Sequence, residues 1–160
     1  MMYENVEKVL NDFGKRLVEG YRDKLDSGNI NASYDLYNSV RYMVEIGENS
    51  FEVKLELEDY WKYIENGRKA GKFPPIDKIK KWIEVKPILP RPYNGKLPTT
   101  AQLAYLISRK ISIEGIEPKP ILEQTIEEIL SEFYISIENA FEQDIKEIFL
   151  LEFESFPNIK

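Results

Sequence analysis

The last quarter of the chain carries one unbroken apolar stripe, and that stripe limits the folds open to it. Ile121, Leu122, Ile126, Ile129, Leu130, Phe133, Ile137, Ala140, Phe141, Ile145 and Ile148 recur at helical spacing over about eight turns. Pro118 and Pro120 sit where a helix starts. A helix this long is more than one small core needs, so part of it is expected to pack against another chain. Its remaining positions are strongly acidic.

The rest of the pattern reads as α+β. Val6, Val9, Leu10, Phe13, Leu17, Tyr21 and Leu25 predict a first helix from Met2 to about Asp26, stopped by Ser27-Gly28-Asn29. Ala32 to Asn38 is ambiguous and fits at most a turn of helix. Val40, Tyr42, Val44 and Ile46 alternate with Arg41 and Glu45, although Met43 interrupts the polar face. Phe51, Val53, Leu55 and Leu57 alternate with Glu52, Lys54, Glu56 and Glu58. These are two strands, and Gly47-Glu48-Asn49-Ser50 joins them as a hairpin. A lone hairpin is marginal in water and needs a helix or further strands on its apolar face.

A short helix is expected within Glu58–Asn66, ended by Gly67. A loop from Arg68 to Phe73 leads to a helix started by Pro75, with Ile76, Ile79, Trp82 and Ile83 inward. Lys86 to Pro98 holds five residues of Pro or Gly (Pro87, Pro90, Pro92, Gly95, Pro98) and reads as a long irregular loop. Thr99-Thr100-Ala101-Gln102 is a capping box for a helix that runs to Glu114 and stops at Gly115. One domain of 160 residues accounts for all of this. The Pro-rich loop at 86–98 and the acidic helix and tail at 120–160 are its distinctive parts.

Chemistry is sparse. The chain has no Cys and no His, which excludes disulfides, thiolate sites, imidazole bases and catalytic triads. Carboxylates, Lys and Tyr remain. Glu58 and Asp59 adjoin a strand end, and Glu127, Glu128 and Glu132 lie on the last helix, but nothing joins these groups into one site. Glu123 and Glu127 have the i, i+4 spacing of a helical metal pair, against the plainer reading of a solvated face. No catalytic residue, metal or cofactor is assigned, and the chain is expected to be non-enzymatic. No run of about 18 apolar residues predicts a membrane span. Met1-Met2-Tyr3-Glu4-Asn5 lacks a basic-then-apolar signal pattern.

Charge is distributed unevenly. Between Lys62 and Lys96 ten basic residues stand against Glu65, Asp77 and Glu84, whereas between Pro120 and Phe156 ten acidic residues stand against Lys146. Solvated helix faces, complementary contacts between copies, and a basic patch for DNA phosphates all accommodate this asymmetry. Tyr60, Trp61, Tyr63 and Trp82 lie among the basic residues. Their helical spacing predicts core packing, with base stacking as the alternative.

Several blocks resemble the tail-completion, or head–tail joining (neck), proteins of long-tailed bacteriophages. Ala32-Ser33, Leu36 and Asn38-Ser39-Val40 resemble the family's lead into its first strand. Tyr60-Trp61-Lys62-Tyr63-Ile64-Glu65-Asn66-Gly67 is similar to its aromatic segment after the hairpin. Gly71 to Ile83 resembles its loop and Pro-started helix, and Leu103 to Gly115 its helix with a central Arg-Lys. The resemblance spans about residues 30–120. It implies a virion protein assembled in the bacterial host cytoplasm, forming a homo-oligomeric ring in the connector. Its partners would be its own copies and neighbouring connector, portal-proximal and tail proteins, with non-specific DNA passage through the ring and no membrane.

A ring closed by head-to-tail contacts needs two different, complementary patches per subunit. Arg68, Lys69, Lys72, Phe73, Lys78 and Lys81 are the candidates on the basic side, and Glu128, Glu132 and Glu142 on the acidic side. The plainer alternative is that Phe73 caps the core and the Lys residues are solvated. The loops at Arg68–Phe73 and Lys86–Pro98 are expected to order on assembly. The rival reading is a small nucleic-acid-binding module using residues 62–96, and a third is an enzyme built on carboxylates.

Overall fold

A computed structural model describes residues 3–155 except 29, 31–34, 48–49, 87, 89 and 93–94. The fold is α+β, with helices α1 (Glu4–Ser27), α2 (Asp35–Ser39), α3 (Trp61–Glu65), α4 (Ile76–Val85), α5 (Thr100–Glu114) and α6 (Ile121–Ser155) and one hairpin, β1 (Arg41–Ile46) and β2 (Phe51–Glu56). The chain divides into two compact units, interleaved in sequence. The first comprises Met1–Asp23, Val40–Glu56 and Leu122–Lys160, and the second Lys24–Ser39 and Leu57–Ile121.

In the first unit α1 and α6 bury their apolar stripes together under the hairpin. Val6, Leu10 and Ala140 form the buried centre, ringed by Tyr3, Val9, Val44, Phe51, Val53, Phe133, Ile137 and Phe141. Tyr3, Phe51 and Phe141 meet edge to face, with centroids 5.2 Å and 5.1 Å apart for the two pairs that share Phe51. Such pairs contribute beyond the area they bury. The hairpin register puts Tyr42 opposite Leu55, Val44 opposite Val53 and Ile46 opposite Phe51. The alternation therefore gives one apolar face, as the sequence predicts. On the other face Glu45 opposes Glu52, and Lys54 bonds Glu45 and reaches Glu52 at 3.6 Å. That cation offsets a like-charge cross-strand pair. Gly47 donates to the Ser50 carbonyl to close the turn. Glu48 and Asn49 of the expected loop lie outside the described residues, as do Ala32 to Tyr34 ahead of α2.

Two features of this unit are absent from the apolar pattern. Asp144 of α6 is buried and sits at the N-terminus of α1. Its carboxylate accepts from the Asn5 amide (3.0 Å), the Asn5 side chain (2.7 Å) and the Val6 amide (2.9 Å). It takes up two of the backbone donors that every helix start leaves unbonded, at the positive end of the helix dipole. The second feature is close approach to α1. A Cβ on Gly14 would lie 2.3 Å from the Tyr42 ring, and one on Gly20 would lie 2.8 Å from the Thr125 methyl. Glycine costs about 1 kcal/mol within a helix, and here it makes room for a strand and for α6.

The second unit is helical. Among its described residues Leu25, Leu36, Ile83, Ala104 and Ile121 are buried. Thr99 accepts from the Gln102 amide while the Gln102 side chain accepts from the Thr99 amide, forming the expected capping box. Pro75 caps α4, and its carbonyl accepts from Lys78 and Ile79. The Tyr60 hydroxyl accepts from the Leu36 amide, and partial desolvation there raises its pKa.

Four expectations about packing are corrected, the first at Tyr60, which is exposed rather than in a core. Trp82 and Tyr63 do not join a core; both are exposed. Each precedes an inward residue, Ile83 and Ile64, and one helical step turns it about 100° away. Ile145 is exposed too, although Ile148, the last expected member of the α6 stripe, is half-buried.

The Asp144 contact generates two predictions. Burial by itself raises the Asp144 pKa. Hydrogen bonds from Val6 and Asn5, with the charge of Lys8, outweigh this and hold it below 3.8. The folded state thus gains stability from this group above the ordinary aspartate value, and loses it as the pH falls through the lower folded value. Asp144→Ala is expected to cost about 1–3 kcal/mol in urea unfolding at neutral pH, and to flatten the acid limb of the stability–pH curve. Gly14→Ala should destabilise despite its better helix propensity, since the Tyr42 ring must move; a raised urea midpoint would contradict this.

Candidate interaction surfaces

The basic loop is built on a backbone clip. Gly67, with φ at +65°, follows α3, and Gly115, with φ at +80°, follows α5. Between them Arg68 and Ile116 exchange two backbone hydrogen bonds of 2.9 and 2.8 Å, and the Gly71 amide donates to the Ser112 carbonyl at 2.8 Å. A Cβ on Gly67 would lie 2.3 Å from the Ile116 oxygen, and one on Gly115 would lie 2.4 Å from the Arg68 oxygen. Only glycine allows both the dihedral and the approach. The Arg68–Phe73 loop is therefore tied at Arg68 and Gly71 to the end of α5.

The clip decides what the predicted contact residues do. The Arg68 side chain turns back and donates to the Lys72 carbonyl at 3.1 Å. Phe73 is half-exposed and leans on Tyr105, with ring centroids 5.7 Å apart at 37°. It caps Tyr105 while leaving part of its ring to solvent. Lys69, Lys72, Lys78 and Lys81 are exposed. Asp77 is drawn instead to Lys80, at 3.4 Å.

Beyond Phe73 the outer face of α5 is apolar. Leu97, Tyr105, Leu106 and Ile113 are each more than half exposed. A groove of about 950 Å³ runs along this helix, lined by Leu97, Tyr105 and Leu106 with Arg91 and Lys96; among the described residues no carboxylate lines it. No local sequence signature marks this groove. The capping box fixes where α5 starts, but the residues that line the outer face look like an ordinary half-buried stripe. Pro87, Leu89, Tyr93 and Asn94 of the Pro-rich loop lie outside the described residues.

The acidic helix offers a different surface. Glu132 is engaged by Arg16 of α1 at 2.6 Å, so it serves the first unit's own packing. Glu142 pairs with Lys146 one turn on, at 2.5 Å, and that hydrogen bond and charge lower its pKa. Glu128 and Glu138 lie on the exposed side. Large apolar side chains are also exposed on this helix, Tyr134 and Ile135 before Ala140 and Ile145, Phe149, Leu150 and Leu151 after it.

No three metal-ligating side chains cluster among the described residues, and none of their helices is long and apolar enough to cross a membrane. Comparison with known proteins finds no matching family model, no similar curated protein and no similar solved structure.

The clip predicts a stability effect with a distinct location. Gly115→Ala should cost about 1–3 kcal/mol through the strained dihedral and the lost approach to Arg68. Amide hydrogen exchange should then quicken at Arg68, Gly71 and Ile116 more than at Val6 or Leu10. Equal acceleration at both places would contradict a local clip.

Proposed function

We infer that this chain is a structural virion protein of a tailed phage or prophage, building a ring in the head–tail connector and completing the tail without turnover. The observation that carries this reading is the segregation of charge. The basic segment Lys62–Lys96 belongs wholly to one compact unit, while the acidic positions of α6 belong to the other. One chain thus owns two unlike surfaces of opposite sign, which is what a head-to-tail contact around a rotation axis requires. The element order of helix, hairpin, short helix, glycine-flanked loop, Pro-started helix, helix and long helix agrees with the resemblance to tail-completion proteins. The exposed apolar residues on α5 and α6 fit a subunit that buries surface on assembly.

Exposed aromatics beside cations favour a second reading. Tyr63 and Trp82 are exposed near Lys62, Lys78 and Lys81 in sequence, a combination that can stack on single-stranded nucleic acid. In a ring the same cations fit a channel through which DNA passes.

Mass in solution separates the readings. Light scattering of the purified chain at low salt is expected to give a discrete assembly of about six or more copies, which weakens as salt screens the charge contact. A monomer at every concentration and salt would overturn the ring. A monomer that binds a fluorescent oligonucleotide with affinity falling steeply in salt would favour the nucleic-acid module.

A further inference from the structure

The ring reading leaves open which surfaces meet. Two exposed apolar patches stand out, and their rims carry opposite charge. On α5 the groove exposes Leu97, Tyr105 and Leu106 beside Arg91 and Lys96. Arg109 continues along the same helix face between Leu106 and Ile113, where Lys110 is paired with Glu114 at 3.6 Å. On α6 the patch comprises Ile145 and Phe149; Glu138 and Glu142 precede it on the outward side, Glu142 paired with Lys146. At 3.6 residues per turn Glu138, Glu142, Ile145 and Phe149 share one face. Large exposed apolar side chains rimmed by charge mark protein-binding surfaces.

Charge decides the occupant. An α6 patch facing another α6 patch would bring Glu138 of the two copies together, whereas Glu142 is already paired with Lys146. Two α5 grooves would likewise oppose Arg91 and Lys96. Like-charge contacts of this kind disfavour both symmetric pairings, and the unlike pairing satisfies both rims. We propose that the outward C-terminal face of α6, through Ile145 and Phe149, docks in the basic-rimmed groove beside α5 of a second copy of this chain, making a heterologous head-to-tail contact. This rests on the ring reading and names its interface. Phe149 is the anchor: a large aromatic side chain, more than half exposed, that fills an apolar groove is the usual centre of such an interface.

A complementation experiment with the full chain tests it. Phe149→Asp removes the α6 surface and Leu106→Asp removes the groove. Both residues are more than half exposed, so circular dichroism should match the unaltered chain. Each variant alone is expected to lose self-association by about 30-fold or more, the size of a hot-spot loss. An equimolar mixture should form a one-to-one dimer by native mass spectrometry and grow no further, because each partner supplies one intact surface. Lys96→Glu, which sits on the groove rim, should weaken assembly of the otherwise unaltered chain. A mixture that stays monomeric while both variants are folded would overturn the pairing. So would a Leu106→Asp variant that associates as the unaltered chain does. A ring that survives both substitutions overturns this interface and leaves the ring reading standing, whereas an unaltered chain that never associates overturns both.

Discussion

The Asp144 carboxylate at the start of α1 is the contact on which the first unit depends. It joins the beginning of the chain to its last helix through two backbone amides and one side-chain amide. A buried carboxylate is costly unless its oxygens are bonded, so this one sets the register of α1 against α6. Once that register is set, Val6 and Leu10 face Ala140, the Tyr3–Phe51–Phe141 cluster closes, and the hairpin finds the apolar floor it needs. Gly14 and Gly20 bring Tyr42 and Thr125 in close along the same helix. The second unit relies on a different constraint, the glycine-flanked exchange of hydrogen bonds between Arg68 and Ile116.

How far the sequence reveals this depends on whether an interaction leaves a side-chain pattern. The stripe of α1, the alternation of the two strands, the Thr99–Gln102 box and the stops at Gly67 and Gly115 are all repeats or local signatures, and the structure contains each of them. Asp144 and Thr125 are polar residues inside an apolar stripe, and periodicity counts them as interruptions although both are buried. The Arg68–Ile116 clip is made by backbone atoms, so no side chain announces it. Trp82 and Tyr63 illustrate the opposite error. Helical spacing identifies a face, but not the element that covers it. The two units are interleaved rather than consecutive, so no linker marks their division. The groove beside α5 is lined by residues of one stretch, from Pro90 to Leu106, but its apolar residues carry no periodicity that marks an open face.

The functional reading follows from separation rather than from a reactive site. Basic side chains and an apolar groove lie in one unit; acidic side chains and an apolar helix end lie in the other. Charge at such rims governs which faces meet and how fast, while the apolar centres supply most of the binding energy. Several of the residues that composition nominates are already engaged within a unit: Glu132 holds Arg16, Glu142 holds Lys146, and Arg68 closes its own loop. This leaves Lys69, Lys72, Lys78 and Lys81 as the outward cations of the candidate set.

Two unlike patches on one subunit give a closed ring only if the rotation between neighbours closes; otherwise the same contact gives a filament. Imaging the purified chain by negative-stain electron microscopy at low salt tests that claim directly. The account predicts closed rings of uniform diameter with a central opening. Open helical filaments, two-fold dimers or dispersed single subunits would contradict it.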